Sequence, residues 1–106
     1  MAVYVDNARN KYGRMRMCHM WADTFVELLH MADRIGVPRK HVQGPPDAKW
    51  VHFDICQSKR KLAVEHGAKE TDRYGALEHV AKNTGNRKLL AMVKRIRARK
   101  SDERQE

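Results

Sequence analysis

Two histidines and two aspartates in this sequence have side chains of the types that transfer protons or bind metals. His52 and Asp54 stand two residues apart in "WVHFDI", Asp6 directly follows "AVYV", and His19 lies in "MCHM". Imidazole and carboxylate groups act as general acids and bases, and both also bind divalent metals. We therefore consider His52, Asp54, Asp6 and His19 the candidate catalytic residues. The cofactor is unknown from the sequence, with a divalent metal as the candidate.

Four cations lie close to these residues in the sequence. Arg9 and Arg14 belong to the polar segment "NARNKYGR", and Lys59 and Arg60 belong to "SKRK". A guanidinium group binds phosphate through two hydrogen bonds, and a helix that starts near Ser58 would present free N–H groups to an anion. These features predict phosphate binding by an enzyme that acts on nucleotides or nucleic acid, with phosphoester hydrolysis as the reaction. The sequence has no HExxH motif, glycine-rich phosphate loop or zinc-binding cysteine pair to specify the chemistry further.

The candidate residues also have structural roles open to them. Asp6 can pair with Arg9 or Arg14, and Asp23 can assist the N-terminus of the helix that follows it. His19 is flanked by methionines, so it fits a hydrogen-bonded, half-buried histidine as well as a base or a ligand. Lys and Arg side chains next to strands are commonly solvated. Residue types and spacing do not choose between these interpretations.

The strand "WVHFDI" gives the strongest indication of a site. Val51, Phe53 and Ile55 alternate with His52 and Asp54, so the two polar residues share the face opposite the apolar ones. That face borders either solvent or a cleft. We favour a cleft because "SKR" begins a helix whose free N–H groups attract anions, and Lys59 and Arg60 add to that field.

Composition bounds the class of protein. The chain has 106 residues, enough for one domain, and a net charge of +9. Such a basic excess favours an anionic partner, nucleic acid first among them. No apolar run approaches the ~20 residues of a membrane span, and the N-terminus does not resemble a signal peptide. Cys18 and Cys56 form no CxxC pair, so we expect reduced thiols and a cytoplasmic protein.

The C-terminal segment supports a second hypothesis, a binding module without catalysis. From Arg87 to Glu106, eight Lys and Arg side chains against three acids give +5. The predicted helix there carries cations around an apolar stripe, which packs on the sheet or on a dimer partner. Nucleic acid, a host protein or another acidic partner, or a membrane surface would suit this helix. The candidate nucleic-acid-binding residues are Arg87, Lys88, Lys94, Arg95, Arg97, Arg99 and Lys100.

Alternating strand and helix patterns predict an α/β fold with a small, mostly parallel sheet flanked by helices and a C-terminal basic helical extension. Residues 1–72 form the predicted core, residues 73–100 the helical extension of the same domain, and residues 101–106 a frayed tail. Thr24 and Glu27 have capping-box spacing, and Gly36 supplies the stop, which predicts a helix over 24–35. "MRMCHMWAD" is predicted to be a short extended or irregular piece and "RKHVQ" a weak strand. Ser58 is predicted to cap a second helix, and the methionines at 15, 17, 20 and 31 to fill the core.

Three stretches closely resemble a bacterial and phage family of unknown function, catalogued as DUF4031. They are "MAVYVDNARNKYGRMRMCHMWADT", "ELLHMADRIGV" and "HFDICQSKRKLAVEHGAKE", and they cover about residues 1–70 in order. The resemblance implies a phage or bacterial protein and implies no established activity. From about residue 73 the sequence departs from the short ending expected of the family. The positions that match the family's pattern are Asp6, Arg9, Gly13, Arg14, His19, Asp23, His52, Asp54 and Arg60.

Overall fold

The chain divides into two compact units, which we call the sheet unit (Met1–Arg73) and the helical unit (Tyr74–Glu106). The computed structural model describes residues 2–44 and 48–105, with side chains in the second range through residue 99. The described residues form one five-stranded sheet and four α-helices, and the last helix is C-terminal. The prediction of an α/β protein with a C-terminal helical extension is therefore confirmed.

The sheet is mostly antiparallel, so the prediction of a mostly parallel sheet was wrong. Its strands are β1 (Val3–Val5), β2 (Asn10–Tyr12), β3 (Met15–Ala22), β4 (Phe53–Cys56) and β5 (Lys69–Glu70). β3 pairs antiparallel with β1, β2 and β4, whereas β1 and β5 pair in parallel. The segment expected to be short or irregular is in fact the longest strand. It returns beside β2 after a turn at Gly13, and strands joined by such a tight turn must be antiparallel.

β3 nevertheless gives the other strands a common direction. Since β1, β2 and β4 all run opposite to β3, and β5 runs parallel to β1, these four strands point the same way. The residues that follow β1 and β4 therefore leave the sheet at the same side. Nε of Arg60, on the helix after β4, donates a hydrogen bond of 2.9 Å to the Asp6 carbonyl oxygen after β1.

Two helices cover one face of this sheet and form the core with it. Helix α1 (Phe25–Ile35) begins at Thr24, whose hydroxyl oxygen accepts the Glu27 N–H and donates to its carboxylate, and it ends at Gly36 with φ of 76°. Helix α2 is Gln57–Glu65. The apolar core residues of the sheet and helices include Val5, Cys18, Met20, Ala22, Leu28, Met31, Ala32, Ile35, Phe53, Ile55 and Ala63.

Two further local predictions in the sheet unit were wrong. The N-cap position of α2 is Cys56 and not Ser58, because the helix begins at Gln57, two residues earlier than expected. The segment predicted as a weak strand contains a short 3-10 helix, Arg39–His41, and forms a single bridge between Gln43 and His52. In the predicted loop "GPPDAK", residues 45–47 lie outside the described residues.

The helical unit is a pair of helices, α3 (Gly75–Thr84) and α4 (Arg87–Gln105), joined at Gly85, whose φ of 66° requires a left-handed conformation. The helices pack together and bury Ala81 and Val93, so the apolar stripe of α4 contacts α3 within this unit. The α4 backbone stays helical to Gln105, through most of the segment predicted to fray. In the described part of the chain, no helix has both the length and the apolar character that a membrane span requires.

Candidate functional site

Asp6 and His19 form a closely bonded pair on the face of the sheet opposite α1 and α2. The Asp6 side chain is buried, and one carboxylate oxygen accepts a hydrogen bond of 2.7 Å from Nδ1 of His19. Its other oxygen accepts the backbone N–H groups of His19 at 3.0 Å and Ala8 at 3.2 Å. A carboxylate with these three donors fixes the imidazole ring and places its proton on Nδ1. Nε2 of His19 is then the nitrogen available for chemistry.

Asp54 lies where two imidazole rings converge. The register of β3 and β4 places His19 directly opposite Asp54, and Nε2 of His19 lies 3.8 Å from Oδ1 of Asp54. Nε2 of His52 lies 3.6 Å from the same oxygen. The other Asp54 oxygen accepts a hydrogen bond of 2.6 Å from the Gln43 amide. The two imidazole rings therefore approach the same oxygen of the partly exposed Asp54 carboxylate.

Aromatic rings hold this cluster in place. The Trp50 ring stacks on His52, with centroids 4.4 Å apart, and His52 meets His19 edge-on at 5.6 Å. Trp21 contacts Trp50 at 5.4 Å and Tyr4 at 5.9 Å. Such contacts add to the stabilisation that ring burial provides. They explain why His52 is only 8% exposed although it flanks an exposed aspartate.

The pKa values of the two histidines are displaced in opposite directions from the ordinary value for an imidazole. The hydrogen bond to Asp6 raises the pKa of His19, and burial lowers the pKa of His52. Burial also acts to raise the pKa of Asp6, but the hydrogen bonds and charge of His19 outweigh it and leave that pKa below its ordinary value. Over a pH interval around 6.5, His19 is therefore mainly charged while His52 is mainly neutral. A proton donor and a proton acceptor stand side by side.

A cavity of about 410 Å³ adjoins Asp54. The β2–β3 hairpin supplies one wall, in which Tyr12 is 69% exposed and Met15 46% exposed. Met15 is therefore not a core residue, although Met20 and Met31 are buried as predicted. The lining residues are Tyr12, Met15, Met17, His41, Gln43 and Asp54.

The predicted phosphate-binding cations differ in whether their side chains already have a partner in the protein. Nε and one terminal nitrogen of Arg60 are occupied by the Asp6 carbonyl oxygen and by Glu70, the latter at 2.9 Å. Nζ of Lys59 lies beside Gly36, where it faces the C-terminal end of α1. Arg9 and Arg14 are exposed and form no ion pair or hydrogen bond with the described residues. They are the two cations of this set that an incoming anion would find unoccupied.

Asp23 and Cys56 contribute to structure near the cluster. Asp23 accepts hydrogen bonds from the Ala2 N–H at 2.8 Å and from the Tyr4 hydroxyl, and so ties β1 to the end of β3. The Cys56 thiol lies 3.2 Å from the Ser58 hydroxyl, an interaction that lowers the pKa of Cys56 below its usual value. Among the described residues, no group of three or more His, Cys, Asp or Glu side chains is arranged to hold a metal ion.

Several residues of the site were missed from the sequence. Trp50 occupies the same face as His52 and Asp54, and its position two residues before His52 was the available signal. Gln43 gave no such signal, because its contact with Asp54 spans eleven residues of chain. Met17 precedes His19 by two residues on β3, so the same alternation would have placed it beside the site.

The basic residues of α4 separate into two groups. Arg97 pairs with Glu78 of α3, within the helical unit. Arg87, Lys88, Lys94, Arg95 and Arg99 are exposed and form no ion pair with any described residue. The side chain of Lys100 lies outside the described residues.

Comparison with known proteins finds one family. Residues 3–94 match the family model described as a protein of unknown function, DUF4031. No curated protein and no solved structure matches the chain. The match continues through α3 and into α4, so the expectation that the sequence departs from the family at about residue 73 was wrong. With most of its length matched, the chain belongs to the DUF4031 family.

Proposed function

We propose that this protein hydrolyses phosphoester bonds of nucleotides or nucleic acid by general acid–base catalysis. The observation that carries the proposal is the convergence of His19 and His52 on Asp54, with the pKa values of the two imidazoles displaced in opposite directions. Pairs of titratable groups whose surroundings separate their pKa values are suited to act as acid and base.

The assignment of roles follows from the protonation states. His52, kept neutral by burial, accepts the proton of a water molecule that attacks phosphorus, and Asp54 stabilises the resulting imidazolium at 3.6 Å. The P–O bond to the leaving group breaks, and His19 donates its Nε2 proton to the departing oxygen. Asp6 is a positioning residue that holds Nδ1 of His19. Exchange with solvent then returns both rings to their starting states.

The cavity beside Asp54 supports a nucleotide as the substrate. Its wall of Tyr12, Met15 and Met17 offers an aromatic ring and two polarisable thioethers to a planar base. A volume of about 410 Å³ lies within the usual range for small-molecule sites. Arg9, exposed in the loop after Asp6, is a cation available to the phosphate.

A turnover assay tests the proposal. Purified protein is incubated with bis(p-nitrophenyl) phosphate, cyclic and linear nucleotides and single-stranded oligonucleotides, each with added divalent metal and with chelator. We expect His19→Ala and His52→Ala to lower the rate by about 10²- to 10⁴-fold, the usual contribution of a positioned acid or base. His79→Ala, a histidine of the helical unit bonded to Asn83, is the matched control.

The pH profile distinguishes catalysis from a structural role. The plot of rate against pH should be bell-shaped. The rate should rise with pH as His52 loses its proton and fall at higher pH as His19 loses its proton. Asp6→Asn should move the falling limb to lower pH, because it removes the charge that raises the pKa of His19. Turnover that persists unchanged in folded His19→Ala and His52→Ala proteins would contradict the proposal.

A second candidate function is nucleic-acid binding by α4 without catalysis. At about 100° per residue, the exposed cations Arg87, Lys88, Lys94, Arg95 and Arg99 fall within an arc of about 140°. Val93 is buried on the other side of the helix. A basic face of this kind suits contact with a phosphate backbone.

Salt-dependent binding tests this candidate. The double variant Lys94→Gln/Arg95→Gln should bind a fluorescent oligonucleotide more weakly and reduce the slope of log K against log salt by about 2. Lys40→Gln/Lys61→Gln removes the same charge from exposed positions of the sheet unit and is the control. Equal losses in the two double variants would exclude a specific role for α4.

A further inference from the structure

A second cavity in the sheet unit lies away from the His–Asp cluster. It has a volume of about 260 Å³ and is bounded by one face of α1, by the start of β1 and by the residues that follow α2. Val3 and Met31 give it an apolar floor. None of the residues proposed above for catalysis or substrate binding lines it.

Basic side chains dominate the lining of this cavity. His30 and Arg34 come from successive turns of α1, His66 follows α2, and Lys69 stands on the edge strand β5. In the described part of the chain, none of these four side chains forms a hydrogen bond or an ion pair. Four exposed side chains without a partner among the described residues, from three segments of the fold, therefore line a common space.

The acids nearby are already engaged. Glu27 also lines the cavity, but its carboxylate accepts a hydrogen bond of 2.8 Å from the Thr24 hydroxyl at the start of α1. Asp33, which interacts with His30 electrostatically, forms a two-bond ion pair with Arg39. With Arg34 and Lys69 against the single lining carboxylate of Glu27, the cavity carries a net positive charge.

We propose that this cavity binds a phosphate-type oxyanion. The planar guanidinium of Arg34 can offer two parallel N–H donors, and the Lys69 ammonium and two imidazoles can reach the remaining oxygens. The apolar floor leaves room for a small organic body attached to the anion. Inorganic phosphate and a phosphomonoester share this chemistry, and the test below separates them. The proposal is independent of the phosphoesterase proposal, because the two cavities have no residue in common.

Imidazole NMR signals provide the test. The C2 protons of His30 and His66 are followed in the His19→Ala protein, in which the candidate catalytic site is disabled. The titrants are inorganic phosphate, a nucleoside monophosphate, and sodium chloride at equal ionic strength. We expect both histidine signals to shift and saturate with phosphate but not with chloride. Tighter binding of the monophosphate would identify the phosphomonoester as the ligand class, and equal affinities would identify the free anion.

Substitutions inside and outside the cavity test whether the NMR shifts arise from phosphate bound there. Arg34→Ala should weaken phosphate binding by about 10- to 100-fold, the effect of losing charge-assisted hydrogen bonds. Arg34→Lys, which keeps the charge but not the two-pronged geometry, should weaken it less and guards against a folding defect in the alanine protein. Lys61→Ala, an exposed lysine elsewhere on α2, should leave the affinity unchanged. Shifts that chloride reproduces, or that survive in folded Arg34→Ala protein, would overturn the proposal.

Discussion

The two faces of β3 differ in what they carry, although they are made of alternate residues of one strand. On one face Cys18, Met20 and Ala22 pack into the core beneath α1 and α2. On the other face His19 bonds to Asp6, and Trp21 packs among aromatic rings. The first face forms the apolar core with the helices, and the second combines the buried Trp21 with the titratable groups.

The apolar face determines the geometry of the polar one. A slip of one residue in the pairing of β3 and β4 would turn Phe53 out of the core, so burial fixes the register. That register places His19 opposite Asp54 and Met20 opposite Phe53. The position of a proton donor thus depends on apolar contacts on the reverse side of the sheet.

The largest loss of stability is expected from a substitution on the core face. Phe53→Ala should lower the free energy of unfolding by about 3–5 kcal/mol, because the fully buried ring leaves a cavity. Tyr12→Ala, which removes a ring that is 69% exposed on the cavity wall, should change it by no more than about 0.5 kcal/mol. Urea denaturation measures both. Similar losses in the two proteins would show that the faces do not divide their roles as we infer.

Local features of this division could be predicted from the sequence, and long-range ones could not. Helix α1 was predicted correctly because its capping box and terminal glycine act within a few residues. β3 was not recognised as a strand, because methionines fall on both of its faces and hide the alternation. Because β3 was missed, its antiparallel pairing with β1, β2 and β4 was missed as well, and the sheet was predicted to be mostly parallel.

The site illustrates the same limit. His19 and Asp6 were selected as candidates by residue type, but their hydrogen bond spans thirteen residues and depends on the antiparallel return of β3. The structural alternative for Asp6, an ion pair with Arg9 or Arg14, does not form among the described residues, and Asp6 bonds to His19 instead. Of the two cations that follow β4, Lys59 lies beside Gly36 at the end of α1, whereas Arg60 bonds to the backbone carbonyl oxygen of Asp6 and so lies next to the site.

A smaller effect is expected from the polar face. Asp6→Asn should lower the free energy of unfolding by about 2 kcal/mol near pH 5.5, since it removes a charged, buried hydrogen-bond acceptor. The pKa of Asp6 is below its ordinary 3.8 in the folded protein, so its contribution is lost only as the pH falls through that lower value. The pKa of His19 is above 6.5, so its contribution is present below pH 6.5 and is lost as the pH rises through the folded value.

The difference in stability between the wild-type and Asp6→Asn proteins should therefore be largest between about pH 4 and 6.5 and decline on both sides. Thermal unfolding over this range measures it. Lys61→Ala, which alters an exposed charge on α2, should give a difference that does not vary in this way. A pH-independent deficit for Asp6→Asn would mean that its charge does not interact with His19.

Histidine titration sharpens the comparison between the two imidazoles themselves. NMR should give His19 a midpoint above 6.5 and His52 a midpoint below it. In the Asp6→Asn protein the His19 midpoint should fall while His52 changes little, because burial is the main cause of the lowered pKa of His52. If both midpoints lay on the same side of 6.5, the assignment of His19 as donor and His52 as acceptor would have to be abandoned.

The smallest expected effect concerns the helix that covers the core face. Thr24→Ala removes the hydroxyl that accepts the Glu27 N–H at 3.2 Å, and should lower the free energy of unfolding by about 1 kcal/mol. Thr24→Ser keeps the hydroxyl and should restore most of the loss. Because the Thr24 hydroxyl bonds to Glu27 within α1 and not to His19 or Asp54, neither variant should move the midpoint of an imidazole. A shifted His19 titration in folded Thr24→Ala protein would show that α1 controls the polar face directly, and not only through the stability of the core.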